Sequence, residues 1–273
     1  MKDNVATALG EEIVSDADQK ALIWKAWKNF ARGVLETCRV MHLSKDRIAS
    51  RVAIKGEEHL QRALAKGNGV LGLSAHLGAF TMIGPRLAAG GYPFSIVVKQ
   101  PKDEHFARYI DDLRAQKGFR TISAKPRKEA VRSILKSLRE NRVVLIIADE
   151  FKSGDLTVDF MGQQAPAPRG PATLALRTGA VTLPMFMTWR PDESLCLLIE
   201  PEILPVRGED LEQSVAATTA LFTRQLESAI RRYPEQWNWL GFPNKKRIRR
   251  SEKKNGKLRV PRPTFASERI EDR

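Results

Sequence analysis

Val143-Val144-Leu145-Ile146-Ile147-Ala148-Asp149-Glu150 is the stretch on which the fold turns. Six consecutive apolar residues rich in β-branched side chains are too short for a buried helix. They predict a strand covered on both faces. Working outward, Val70-Leu71-Gly72-Leu73-Ser74 has the same character and follows the turn residues Lys66-Gly67-Asn68-Gly69. Further short strands are predicted at Phe94–Val98, Thr121–Ser123, Val181–Met187 and Leu195–Ile199. Helical patterns separate them: Ala79–Ala89 with a kink at Pro85, His105–Gln116 closed by Gly118, Lys128–Glu140, Pro171–Thr178 ended by Gly179, and Leu211–Tyr233. Two more helices, Lys20–Met41 and Glu57–Ala65, precede the first of these strands. Strands alternating with helices predict an α/β fold, a mainly parallel central sheet with helices on both faces. In such sheets, sites gather beyond the carboxyl ends of the strands.

A chain of 273 residues with 42% hydrophobic composition buries a substantial core. Residues 1–19 are expected to be loosely attached, 20–243 to form one domain, and 244–273 to be a basic tail. That tail is where the net charge of +14 concentrates: Asn244–Pro263 holds ten Lys or Arg and one acid, +9, which leaves +5 for the rest. A partner explains such a tail better than the fold does, and the partner expected here is an anionic membrane surface or an acidic protein. The same segment has no aromatic residues to stack on bases, so nucleic acid is not expected. No apolar run reaches a bilayer-spanning length, and the first 20 residues do not read as a secretory signal. Cys38 and Cys196 read as small core residues rather than a disulfide. No paired-histidine or Cys-x-x-Cys spacing occurs, so neither a metal nor another cofactor is predicted.

Ionisable groups leave two of the strands. Ser74-Ala75-His76-Leu77-Gly78-Ala79-Phe80 puts a histidine straight after a buried strand, before a glycine and a helix. A base there is held rigidly, the amino end of the helix behind it is expected to offer backbone N–H donors to a developing oxyanion, and Gly78 is a candidate substrate contact. Asp149 and Glu150 leave the other strand and can support the imidazole, because a carboxylate on one ring nitrogen fixes the tautomer that frees the other. His42, His59 and His105 follow, lie in or open helices and compete poorly, and Ser74 lacks the G-x-S-x-G turn of a nucleophile.

From His76 outward the chain resembles the lipid A late acyltransferases, relatives of the glycerophospholipid acyltransferases. The likeness is an ordered set over roughly residues 29–247. It comprises Asn29-Phe30 with Glu36, Gly69–Phe80, Val97-Val98-Lys99-Gln100-Pro101 with Asp103, Tyr109 and Arg114 to Gly118, and Val143–Asp149. It continues through Val158–Gly162, Gly170-Pro171-Ala172, Thr178-Gly179-Ala180 and Tyr233-Pro234-Glu235-Gln236-Trp237 with Trp239. The resemblance implies an acyltransferase fold over residues 20–243 and His76 as general base. It also implies acyl transfer from acyl carrier protein or another thioester donor to a lipid or glycolipid acceptor.

One departure is plain. The family's signature has an acid five positions after the histidine, and Thr81 stands there. Losing a positioned acid–base partner costs on the order of 10²–10⁴ in rate. The family has glutamine after the aspartate of the second strand end, and this chain has Glu150. Relocation of the acid to Glu150 is therefore expected, with Asp149 as the rival, to which the resemblance gives a structural role. Lys99, Arg114 and Arg169 are the candidate phosphate or carrier contacts. Two alternatives stay open on account of Thr81: carrier-dependent aminoacyl transfer to lipid A, and a non-catalytic lipid-binding relative. The Lys20–Met41 helix, with Trp24, Trp27 and Phe30, suits either packing on the sheet or an interfacial position. Trp237 and Trp239, beside the basic tail, are expected near anionic headgroups, which would put the protein peripherally on the cytoplasmic face of the inner membrane.

Overall fold

The computed structural model describes residues 1–10, 12–13, 15–151 and 154–243. The basic tail therefore lies outside the described residues. The chain runs α1 (Lys2–Leu9), α2 (Asp16–Val40), α3 (Lys45–Arg51), β1 (Val52–Lys55), α4 (Glu57–Ala65), β2 (Val70–Ser74), α5 (Ile83–Ala89), β3 (Phe94–Val98) and α6 (Glu104–Gln116). It continues β4 (Arg120–Ser123), α7 (Arg127–Arg139), β5 (Val143–Ile147), β6 (Leu156–Phe160), β7 (Gln163–Ala167), α8 (Gly170–Thr178), β8 (Val181–Trp189), β9 (Leu195–Ile199) and α9 (Leu211–Arg232). Single 3₁₀ turns occupy Phe80–Met82, Pro234–Gln236 and Trp239–Gly241.

Seven strands form the central sheet in the order β1-β9-β8-β2-β5-β3-β4. Every adjacent pair is parallel except β8 with β9. The predicted α/β class and parallel core hold. The two apolar runs that decided the fold, β2 and β5, are central neighbours in register from Val70↔Val143 to Ser74↔Ile147. Side-chain alternation divides their burial between two layers. Leu71 and Leu73 pack with Phe222 and Leu226 of α9 and Ala172 of α8. Val70, Val143 and Leu145 pack with Leu60 of α4 and Ile83 and Leu87 of α5.

Several elements differ from the sequence expectations. The loosely attached start instead contains α1, which buries Val5, Ala8 and Leu9, and Asn4 Nδ2 donates to the Trp239 carbonyl at 2.8 Å. Its apolar residues are too few to show a period, so only the tertiary contact reveals it. Strand β1 and the β6–β7 hairpin are short and mixed in polarity, and β7 carries Pro166. Such segments do not stand out from loops in sequence. Cys196 is buried, whereas Cys38 is exposed on α2 rather than in the core. No helix among the described residues is long and apolar enough to cross a membrane.

If α1 is an integral part of the fold, Leu9→Ala should lower unfolding free energy by about 2–4 kcal/mol, the usual cost of truncating a buried leucine. Urea denaturation measures this, and a change under about 0.5 kcal/mol would restore the picture of a loose segment.

Candidate active site

The register of β2 and β5 builds the site. Ser74 faces Ile147, and the Ala148 N–H donates to the Ser74 carbonyl at 2.9 Å. Two residues past each strand end, His76 and Asp149 stand opposite each other. Asp149 Oδ1 lies 2.7 Å from His76 Nδ1, and Oδ2 accepts the His76 backbone N–H at 2.8 Å. Oδ2 also accepts the indole N–H of Trp237 at 2.7 Å. Asp149 is 2% exposed. Burial raises its carboxyl pKa, but the hydrogen bonds from His76 and Trp237 and the adjacent imidazole outweigh burial and hold it below the ordinary value.

An ionised carboxylate only accepts, so the proton of neutral His76 sits on Nδ1 and Nε2 carries the lone pair. The His76 side chain keeps 28% exposure. It lines a cavity of about 100 Å³ with Asp149, Glu150, Asn238, Leu240 and Gly241. Phe80 sets its ring edge-on to the imidazole at a centroid distance of 4.9 Å. A histidine so held can take a proton from a hydroxyl or amine that enters the cavity.

The segment after α9 closes the site from the other side. Leu77 and Trp237 form an antiparallel bridge, the Gly78 N–H donates to the Gln236 carbonyl at 2.8 Å, and the Asn238 N–H donates to the His76 carbonyl at 3.2 Å. Gln236 is buried, accepts from the Trp189 N–H at 2.8 Å and donates to the Trp189 carbonyl at 3.0 Å. Asn29 of α2 donates to the Glu235 carbonyl at 2.9 Å.

The candidates sort as follows. His76 and Asp149 meet. Glu150 is exposed at the same cavity, and the carboxylate on Nδ1 is that of Asp149, the rival to Glu150 in the sequence expectation. Equal progress along two parallel neighbours puts residue 149, not 150, across from residue 76. Thr81 shares a hydrogen bond of 2.6 Å with Thr37 of α2. Gly78 is no oxyanion donor, because its N–H is already used by Gln236. Its φ of +55° and a Cβ position only 2.1 Å from the Met187 carbonyl oxygen explain why glycine stands there. Lys99 is exposed just beyond β3, the neighbour of β5. Arg114 is tied internally to Asp111 at 3.1 Å and to Thr121 at 3.4 Å. Arg169 pairs with Glu212 at 2.6 Å. Trp237 and Trp239, expected at a headgroup interface, are buried at 2% and 0% exposure. The sequence reading missed Gln236 and the Asp149 contact of Trp237, for which no local signal exists. Only the quoted Tyr233–Trp237 motif drew attention to that region.

Compared with known proteins, residues 1–244 match the family model for bacterial lipid A biosynthesis acyltransferases. The chain belongs to that family. It is an acyltransferase, and the non-catalytic alternative raised by Thr81 is set aside. The phosphatidylinositol mannoside acyltransferase of Mycolicibacterium smegmatis is 26% identical over 242 residues, 88% of this chain and 77% of that protein. Its counterpart in Mycobacterium tuberculosis is 27% identical over 244 residues, 88% of this chain and 75% of that protein. The lipid A biosynthesis acyltransferase of Haemophilus influenzae is 24% identical over 201 residues, 72% of this chain and 60% of that protein.

The Gly78 geometry makes a sharp prediction. Gly78→Ala should cost at least about 2 kcal/mol in stability, because the added methyl meets backbone rather than a flexible side chain. Chemical denaturation reads the loss, and a neutral substitution would mean that the loop relaxes freely.

Proposed function

We propose that this acyltransferase moves an acyl group from a carrier-protein or similar thioester to a hydroxyl of a glycolipid at the cytoplasmic face of the inner membrane, with His76 as general base and Asp149 as its supporting acid. The observation that carries the proposal is the 2.7 Å contact between His76 Nδ1 and the buried Asp149 carboxylate, at a cavity open to an acceptor. In the step proposed, the acceptor oxygen attacks the thioester carbonyl while Nε2 removes its proton. The C–O bond forms, the C–S bond breaks as the tetrahedral intermediate collapses, and the imidazolium returns the proton to the leaving thiolate. Asp149 stabilises the imidazolium in between, as the acid missing from position 81 would have done. The names of the relatives, which specify phosphatidylinositol mannosides and lipid A, support a glycolipid acceptor. Lys99 is the proposed contact for an acceptor phosphate, whereas Arg114 and Arg169 already hold carboxylates.

Two features support the membrane surface. Helix α2 leaves Trp24, Trp27, Phe30, Val34 and Leu35 exposed. At 100° per residue these fall on one side of the helix, flanked by Lys25, Lys28 and Arg32. The cations of residues 245–262 would add roughly 1 kcal/mol each near anionic headgroups.

The direct test incubates the purified chain with charged acyl carrier protein and a glycolipid extract and reads products by mass spectrometry. An acylated glycolipid is expected. His76→Ala should abolish it, Asp149→Asn should lower turnover about 10²–10⁴-fold, and Glu150→Gln should change it only a few-fold. Full activity in His76→Ala would overturn the assignment.

Vesicle sedimentation tests the surface separately. Replacing Trp24, Trp27 and Leu35 by Ser should weaken binding to anionic vesicles about tenfold or more. Truncation after Pro243 should leave weaker binding that responds less to salt. Unchanged binding in both variants would argue against a peripheral position.

A further inference from the structure

We propose that Trp237 is the positioning residue of the His76–Asp149 pair: its indole N–H holds Oδ2 of the buried carboxylate and so keeps Oδ1 for the imidazole. Its consequence for acyl transfer rests on the function proposed above, whereas its effect on His76 itself does not. The indole nitrogen is a donor only, so the 2.7 Å contact has one possible direction. The carboxylate it reaches is 2% exposed, which leaves little access for water to take the place of a missing donor. The ring is aimed from a backbone already fastened to the histidine loop, through the Leu77–Trp237 bridge and the bond from the Asn238 N–H to the His76 carbonyl.

Two effects follow. The carboxylate cannot rotate without losing the indole, so the plane in which it meets Nδ1 is fixed. A donor on Oδ2 also withdraws charge from the carboxylate, which weakens its pull on the Nδ1 proton and makes His76 a weaker base. His76 is thereby kept neutral, the state in which it can accept a proton, to a lower pH than an Asp–His pair alone would allow. Three charged groups among the described residues bear on the site. Glu150 is the other titratable residue lining the cavity among the described residues. Glu235 lies at the turn before Trp237, its carboxylate accepting from Gln236 at 3.3 Å. Arg32 of α2 stacks over Trp189 at the end of β8, 3.9 Å from the ring centre.

The experiment is a pH titration of the full chain by NMR with labelled histidine, in which only four histidines appear and His76→Ala assigns the signal. In Trp237→Phe the His76 midpoint should rise by about 0.5–1 pH unit, the effect of one hydrogen bond lost to a buried charge, and the acidic limb of the pH–rate profile should move with it. Trp239→Phe is the control. That indole is equally buried in the same aromatic cluster but donates to the Pro234 carbonyl at 2.8 Å, so the midpoint should stay put. An unchanged midpoint in folded Trp237→Phe, or an equal shift in Trp239→Phe, overturns the proposal. Should Trp237→Phe fail to fold, the unmodified protein still decides: the Trp237 indole N–H signal should follow the same titration curve as His76, and a flat response overturns the assignment. A shifted midpoint in a chain that transfers no acyl group would uphold the positioning role and defeat acyl transfer. Transfer with an unmoved midpoint would do the reverse.

Discussion

A carboxylate taken fully out of water costs several kcal/mol unless donors replace its hydration, and the Asp149 carboxylate is the one on which this structure depends. Its donors come from two places distant in sequence. The His76 backbone and ring belong to the end of β2, and the Trp237 indole belongs to the segment after α9. Satisfying one buried anion therefore joins the ends of β2 and β5 to the chain's last described turn. The candidate site and the closure of the fold share one set of hydrogen bonds. Thr81 stands where the family signature has an acid, and the carboxylate that lies against Nδ1 comes instead from the end of β5.

Helix α2 is the second organising element, and its two sides have different tasks. Its inner side uses small and polar residues to sit close to the site. A Cβ at Gly33 would already touch the Gly78 carbonyl oxygen at 3.4 Å, Thr37 holds Thr81, and Asn29 holds the Glu235 carbonyl. A large side chain at position 33 would push the helix away from the loop that carries His76. Its outer side shows aromatic and aliphatic residues to solvent, an arrangement that a purely structural helix would not favour. Anything that docks on that outer side is one helix diameter, about 10 Å, away from the loop that carries His76. Binding energy at the surface and order in the site are thus physically adjacent.

The aromatic cluster of Phe151, Phe160, Trp237, Trp239 and Phe242 binds the hairpin, the β5 exit and the final segment together. It explains why tryptophans beside a basic tail are not membrane anchors here. Each indole is large enough to contribute substantial buried area, and each N–H has an internal partner, Asp149 for Trp237 and the Pro234 carbonyl for Trp239.

The sequence by itself determined the α/β class, the central strands and the place of His76 just past the end of one of them. Apolar runs without alternation are legible wherever a strand is buried on both faces, and a lone histidine directly after one of them is conspicuous. The choice between Asp149 and Glu150 was not legible, because adjacent residues look alike locally, and only the registration of β2 against β5 selects which faces the imidazole. Gly78 reads in the sequence as a candidate substrate contact, because it lies in the loop after His76. The Met187 carbonyl that forces it comes from β8, more than a hundred residues further on. The same limit hid α1, β1 and the indole of Trp237: their identities are set by partners far along the chain, and a contact between distant segments leaves no periodicity in either one. Periodicity records burial, which each residue carries in its own neighbourhood, whereas pairing is a property of the folded chain that tertiary structure alone decides.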